Sequence, residues 1–438
     1  MIVMKFGGTS LAEAPDIRKV TALVRARLPD RPVVVVSAHA GVTNELDRLA
    51  RASLVRATGS AGIRERHLRI LRELGLPADL VDDLLRELES LLTGLSLVRE
   101  LTPRSLDCVH SFGELLSSRI VAAQLRQEGI AARAIPAWDL GLVTDGSFGG
   151  AHPQAESYPR IRQSLERVKD VPVITGYIAK DRDGNITTLG RSGSDFTASI
   201  VGAAIGAAEI QIWTDVSGVM TADPRIVPAA KSLARLSFAE MSELAYYGAR
   251  VIHPSTMIPA VEKRIPIRVL NTHEPEHPGT TVLDNGPTGG AVVRSIAQRR
   301  GLTLISVVST RMLLQHGFMA RLFDVFARHE VVVDMISTSE ISVSITTDSK
   351  KDLTPVVREL SGIADVQIEA GKAIVCVVGE GIRTSPDTVA DIFETLRRAG
   401  VVTRMISMGA TRINVSLLVA EGDVETAVRA LHRAFFEN

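Results

Sequence analysis

Four valines in a row at 33–36, within "RPVVVVSAHAG" (31–41), leave no polar alternation along the strand they would form. A strand with one wet face alternates apolar and polar residues. A continuous apolar run is therefore buried on both faces, as in a parallel sheet covered by helices on each side. The same signature recurs in "MIVMKF" (1–6), "VPVITGYIA" (171–179) and "EIQIWTDVSG" (209–218), and helical periodicity separates the runs, as in "GELLSSRIVAAQLRQEG" (113–129). This alternation, from residue 1 to about 285, predicts an α/β fold: a mostly parallel sheet sandwiched by helices, with ligands beyond the carboxyl ends of its strands. The stretch 55–105 reads as a helical excursion, and "HEPEHPGTTVLDNGPTGG" (273–290), dense in Pro and Gly, as a linker or boundary.

Beyond 290 the pattern changes to β-α-β-β-α-β. "LTLISVVS", the helix "GFMARLFDVFARHE", "VVVDMISTSE", "ISVSITTD", the helix "KKDLTPVVRELSG" and "ADVQIEA" make one unit. A second begins at "KAIVCVVGE", and the two share wording: Asp324-Val325-Phe326 against Asp391-Ile392-Phe393, and Met335-Ile336-Ser337 against Met405-Ile406-Ser407. Two ferredoxin-like βαββαβ modules in tandem are expected. The expected divisions are 1–285 for the α/β domain, 286–302 for a linker, 303–370 for the first module and 371–438 for the second. A strand near 292–300 is a candidate to be shared with the second module.

Lys+Arg and Asp+Glu balance at 50 each, which argues against a nucleic-acid binder or a membrane-surface binder working by bulk charge. Cys108 and Cys376 lie far apart without metal-ligand spacing, so a reducing compartment is expected and no metal site built by the protein alone. Lys5 and a glycine turn stand where a signal peptide would carry its apolar stretch, and no apolar run reaches membrane-spanning length. A soluble cytoplasmic protein is the expectation.

No G-x-x-x-x-G-K-[ST] loop and no set of protein-kinase motifs is present, so phosphate chemistry would need another scaffold. Four stretches look chemical. In "KFGGTS" (5–10), Lys5 near the end of a buried strand offers a point charge, and Gly7 and Gly8 let backbone N–H groups approach an anion. "SAHAGVTN" (37–44) taken alone reads as a strand-to-helix turn capped by Thr43 or Asn44. In "TTLGRSGSDFTAS" (187–199), Ser194-Asp195 open a small-residue helix whose N-terminus favours anions. Asp195 is either a cap or a site residue, and the Arg191 guanidinium suits a carboxylate or phosphate. In "WTDVSGVMTADPR" (213–225), Thr214 and Asp215 fall just past a buried strand and Asp223-Pro224-Arg225 form a polar turn. Physical chemistry alone stops at an anion-binding, nucleotide-using α/β enzyme.

The order "KFGGTS", "SAHAGVTN", "SFGELLSS", "TTLGRSGSD", "TDVSGVMTADPR", "YGARVIHPSTMIPA", then two ferredoxin-like repeats, closely resembles aspartate kinase: an amino-acid-kinase-type domain followed by ACT domains. The resemblance spans essentially the whole chain, least over 55–105. It implies transfer of the γ-phosphoryl group of ATP, with Mg²⁺, to the side-chain carboxylate of L-aspartate. The product would be 4-phospho-L-aspartate, on the way to lysine, threonine, methionine and isoleucine. A carboxylate nucleophile is already ionised at neutral pH and needs no general base. What remains is to hold two anions together and neutralise the charge on the transferred group. By motif, Lys5 would meet the phosphate, and Asp195 resembles the second catalytic residue, which positions that lysine. Ser37, Thr43, Glu114, Arg191 and Ser194 resemble the aspartate pocket, with Arg191 on the α-carboxylate and Glu114 on the α-ammonium. Glu114 also suits the bland role of an acid at a helix N-terminus. Lys5, Gly7, Gly8, Thr214, Asp215, Met220, Asp223, Arg225 and Arg250 fall where the family binds ATP, and the nucleotide phosphates would hold Mg²⁺. Met220 and Arg250 depart from the tyrosine and lysine common in the family, which would alter ATP affinity rather than the catalytic pair.

Tandem ACT-like units imply amino-acid sensing, with Met312, Gly317, Phe318, Val333 and Asp334 as candidate effector residues. Asp334 aligns with Arg404 of the second repeat. An acid there could bind the side-chain ammonium of lysine where an arginine could not, giving one effector site per chain, for lysine or threonine. The alternative is a plain surface charge. Phe318, Leu322, Val325 and Phe326 fit the module's core better than its pocket. ACT-like modules pair across chains, so a homodimer or homotetramer is expected. The competing readings are a related kinase acting on another carboxylate and a non-catalytic amino-acid sensor.

Overall fold

The computed structural model describes residues 1–56, 59–248, 252–284, 291–309, 312, 316–348, 352–409 and 413–437. The chain divides into two units: Met1–Val219, Ala234–Phe238 and Val251–Gly286 form the first; Met220–Leu233, Ala239–Arg250 and Pro287–Asn438 form the second. The segments 220–233 and 239–250 thus belong to the second unit although they precede the Pro/Gly-rich stretch.

Among the described residues, eight strands form the main sheet of the first unit. Edge to edge they are Ala132–Ile135, Val171–Thr175, Pro32–Val36, Ile2–Phe6, Ile210–Thr214, Ile267–Asn271, Thr280–Leu283 and Arg235–Ser237. Every pairing is parallel except Ile267–Asn271 with Thr280–Leu283. All residues of Ile2–Phe6 and Pro32–Val36 are buried, as two-sided coverage requires. Lys5 is paired in register with Val35 on one side and Ile212 on the other. The helices Ala61–Leu74 and Asp82–Val98 put Ile63, Ile70, Leu71, Leu85, Leu88 and Leu92 into the same apolar core as that sheet.

Two expectations need correction here. "VPVITGYIA" is two strands: the first ends at Thr175, Tyr177 turns the chain at φ 64°, and Ile178–Asp181 joins a separate sheet with Val143–Thr144 and Ile186–Thr188. The left-handed turn at a tyrosine leaves no mark in an apolar run. The stretch 273–290 is more than a linker, because Thr280–Leu283 lies in the main sheet and the Pro/Gly density marks the turn leading into it. Residues 285–290 fall outside the described ones.

The second unit is built on an antiparallel sheet in the order Ile336–Thr338, Ser342–Thr347, Ser295–Val308, Asp365–Val378, Asn414–Ala420, Met405–Ser407. Helices Phe318–Arg328 and Thr354–Leu360 belong to the first module, Pro386–Arg398 and Val424–Phe436 to the second. The two central strands have 14 residues each and serve both modules. Thr303–Val308 pair within the first module, whereas Ser295–Arg299 pair with Ile374–Val378 in the second. The modules are therefore interlocked, and the strand near 292–300 completes the second. Their internal alignment is visible in the backbone: Asp334 donates its N–H to the Thr346 carbonyl, and Arg404 donates to that of Leu418.

Candidate functional site

Four strand ends of the first unit converge on one cleft. Ile2–Phe6 leads into Gly7-Gly8, and Pro32–Val36 leads through Ser37–Gly41 into helix Val42–Ser53. Val171–Thr175 leads to Tyr177, and Ile186–Thr188 leads through Arg191 into helix Gly193–Ile205. The cleft measures about 480 Å³, within the range of small-molecule sites. Lys5, Gly8, Ser37, Thr43, Glu114, Arg191, Ser194 and Asp195 all line it.

The Lys5 Nζ stands 2.6 Å from Asp195 Oδ1, and both side chains are only 10% exposed. Asp195 is not the cap of its helix. Ser192, at φ 56°, takes that place, and Asp195 sits in the first turn, free to hold the ammonium. Close approach of the two anion-facing loops depends on Gly8, since a Cβ there would lie 2.9 Å from the Ala38 carbonyl oxygen.

Glu114 lies in the middle of helix Pro103–Gln127, so the helix N-terminal role does not apply. Its Oε1 accepts the Ala38 N–H at 3.0 Å, while Oε2 is buried with no hydrogen-bond partner. Burial pushes its carboxyl up to about 8, against the pull of the Ala38 hydrogen bond. A second cap expectation also fails. Helix Val42–Ser53 starts from Gly41 at φ 78° without a side-chain cap, and Thr43 and Asn44 face the cleft from its first turn.

Sequence reasoning passed over His39, Gly149 and Tyr177, all of which line the cleft. The Tyr177 hydroxyl meets His110 Nδ1 at 3.3 Å, and burial pushes its phenol up to about 12. His39 pairs with Leu11 O through Nδ1 (2.6 Å) and its ring lies 5.2 Å from that of His67. Burial holds His39 down to about 3 and His67 to about 4. Arg66 donates to Ala40 O (2.6 Å) and Ala12 O (3.0 Å), tying the same two loops.

The remaining expected nucleotide residues are not gathered on the cleft wall. Gly7 lies beside Lys5, where an added Cβ would be 3.7 Å from its Nζ. Thr214 ends the neighbouring strand and Asp215 follows it, the two joined by a 3.1 Å hydrogen bond from the Thr214 hydroxyl. Met220, Asp223 and Arg225 belong to the second unit. There the Met220 carbonyl accepts from the Ser295 hydroxyl (2.8 Å), and Arg225 pairs with Asp223 at 2.7 Å and lowers its carboxyl. Arg250 lies outside the described residues.

Of the expected effector residues, Phe318 is in the apolar core of the first module, Met312 and Val333 pack against that core, and Gly317 starts the helix at φ 80°. Asp334 is no surface charge: its side chain is solvent-inaccessible, Oδ1 lies 3.0 Å from Arg299 and accepts from the Tyr246 hydroxyl at 3.0 Å, and Oδ2 has no hydrogen-bond partner. Burial raises its carboxyl. Among the described residues, no group of three or more His, Cys, Asp or Glu could hold a metal ion, and no helix is long and apolar enough to cross a membrane.

This architecture, a parallel-sheet unit with its cleft followed by interlocked βαββαβ modules, is that of an amino acid kinase joined to ACT domains. Residues 1–271 match the amino acid kinase family, and 305–361 with 375–435 match the ACT domain. The chain is 39% identical to aspartokinase 2, chloroplastic, of Arabidopsis thaliana, over 99% of this chain and 84% of the relative. It is 34% identical to lysine-sensitive aspartokinase 3 of Escherichia coli over 100% and 99% of the two chains. The crystal structure of E. coli aspartokinase III in complex with aspartate and ADP superposes with TM-score 0.84 at 32% identity, covering both chains completely. The complex of that enzyme with lysine and aspartate gives 0.82 at 32% identity, over 100% of this chain and 99% of the other. The chain belongs to the aspartokinase family.

Proposed function

We propose that this chain phosphorylates the side-chain carboxylate of L-aspartate with ATP, and that the first unit is its catalytic domain. The observation that carries the reading is the buried Lys5–Asp195 pair at the mouth of the sheet, in the same cleft as Glu114 and Arg191. An oxygen of the substrate's β-carboxylate bonds to the γ-phosphorus, the bond from phosphorus to the bridging oxygen breaks, and ADP leaves with that electron pair. No proton has to be removed from the nucleophile. The task left to the protein is electrostatic. Lys5, aimed by Asp195, neutralises the repulsion between two anions, and its low exposure strengthens the effect. Arg191 would clamp the α-carboxylate, and the unpartnered oxygen of Glu114 would take the α-ammonium. Ser37, Thr43 and Ser194 supply hydroxyls around the substrate.

Mg²⁺ would enter with the nucleotide, whose phosphates would be its main ligands. Thr214, Asp215, Met220, Asp223, Arg225 and Arg250 are assigned to ATP by motif. The effector we assign is lysine, its side-chain ammonium bound to Asp334. Support comes from the lysine-sensitive relative and from the buried Oδ2 of Asp334, which has no hydrogen-bond partner. Assembly as a homodimer or homotetramer through the ACT modules and a cytoplasmic setting complete the reading.

A coupled assay with ATP, Mg²⁺ and a panel of acids tests it. ADP release that depends on L-aspartate is expected; release with glutamate but not aspartate would overturn the substrate.

A further inference from the structure

Asp107 lies seven residues before Glu114 on helix Pro103–Gln127, two turns away and on the same face. It is buried, and its carboxylate accepts three hydrogen bonds: Oδ2 from the N–H groups of Gly149 (2.9 Å) and Thr188 (2.9 Å), and Oδ1 from the Thr188 hydroxyl (2.8 Å). Gly149 lines the cleft, and Thr188 ends the strand that leads three residues later to Arg191. The Thr188 carbonyl in turn accepts the Ala151 N–H (2.8 Å). The two loops sit directly against each other, because a Cβ on Gly190, at φ 73°, would lie 3.2 Å from the Gly149 carbonyl oxygen. One carboxylate thus ties the loop around Gly149 and the strand leading to Arg191 to the helix carrying Glu114.

We infer that Asp107 is a positioning residue that sets the span between Glu114 and Arg191, and hence the affinity for the α-ammonium and α-carboxylate of the amino acid substrate. The inference rests on the aspartate reading of the cleft. Asparagine could keep both N–H bonds on its amide oxygen and donate to the Thr188 hydroxyl oxygen, whereas alanine removes the acceptor of all three bonds and unties the loops.

The test uses the full chain: wild type, Asp107→Ala, Thr188→Val and Thr188→Ser, with L-aspartate binding by calorimetry, steady-state kinetics and thermal midpoints. For Asp107→Ala, Kd and KM for aspartate should rise about tenfold or more, while kcat and KM for ATP should stay within about threefold. Thr188→Val, which keeps the shape and removes one donor, should weaken aspartate by about threefold to tenfold, and Thr188→Ser should restore it. If Asp107→Ala does not fold, the two Thr188 variants carry the test. A lowered thermal midpoint with unchanged aspartate affinity, or equal losses for aspartate and ATP, would overturn the inference. A wild type that binds no aspartate would overturn the reading of the cleft itself, a result distinct from either.

Discussion

Glu114 makes aspartate binding a proton-release reaction. Its carboxyl is pushed up to about 8 by burial, with one oxygen on the Ala38 N–H and the other unpartnered. At pH 7, one unit below that value, about nine-tenths of the free protein carries the proton. An ammonium can pair only with the ionised form, so binding must expel about 0.9 proton at pH 7 and about 0.2 at pH 8.5. The apparent affinity for aspartate should then rise about eightfold between those pH values, following the ionised fraction. Calorimetry in two buffers of different ionisation enthalpy reads the proton count directly. Glu114→Gln should bind aspartate weakly, with no proton release and no pH slope. The sign for stability is the opposite. A folded value above the ordinary 4.5 means that the group's contribution is full below about 4.5 and lost as pH rises through about 8, so Glu114→Gln should melt higher than wild type at pH 8. An affinity that is flat from pH 7 to 8.5, with no buffer dependence of the heat, would refute the assignment of Glu114 to the ammonium.

Lys5→Met should lower kcat by about 10²–10³ and destabilise the fold by leaving Asp195 buried without its partner; adding Asp195→Asn should restore the melting temperature but not turnover. His67 is held near 4, below its ordinary 6.5, so its contribution to stability is full above about 6.5 and lost as pH falls toward about 4. At pH 5 that loss is about 2 kcal/mol, and His67→Leu should shrink the difference in melting temperature between pH 8 and pH 5 by about 4–8 °C. Asp334→Asn should shift lysine inhibition to concentrations about tenfold higher or more, and an unshifted inhibition curve would contradict the ammonium assignment.

What the sequence revealed depended on whether the relevant physics is local. The strand carrying Lys5 and the valine strand beside it were legible because two-sided burial writes a continuous apolar run, and Gly8 because close backbone approach excludes a side chain. The break at Tyr177 was not, since a positive φ at a tyrosine is imposed by its surroundings. Thr43 and Asn44 invited a capping assignment that Gly41 made unnecessary. Glu114 could be given a role only through family resemblance, because its environment is assembled from distant segments. For Asp107 nothing in "SLDCVHSF" separates it from an acid on a helix surface; its partners Gly149 and Thr188 lie 42 and 81 residues away. The interlocking of the modules was likewise hidden, apart from the hint of an extra strand near 292–300, because one strand serves two units.

The proposed reaction stands or falls on what is phosphorylated. Incubating the enzyme with ATP, Mg²⁺, L-aspartate and hydroxylamine traps an acyl phosphate as its hydroxamate. The β-hydroxamate of aspartate, formed in step with ADP, is the predicted product; ADP release without any hydroxamate, or with the α-hydroxamate, would contradict the account.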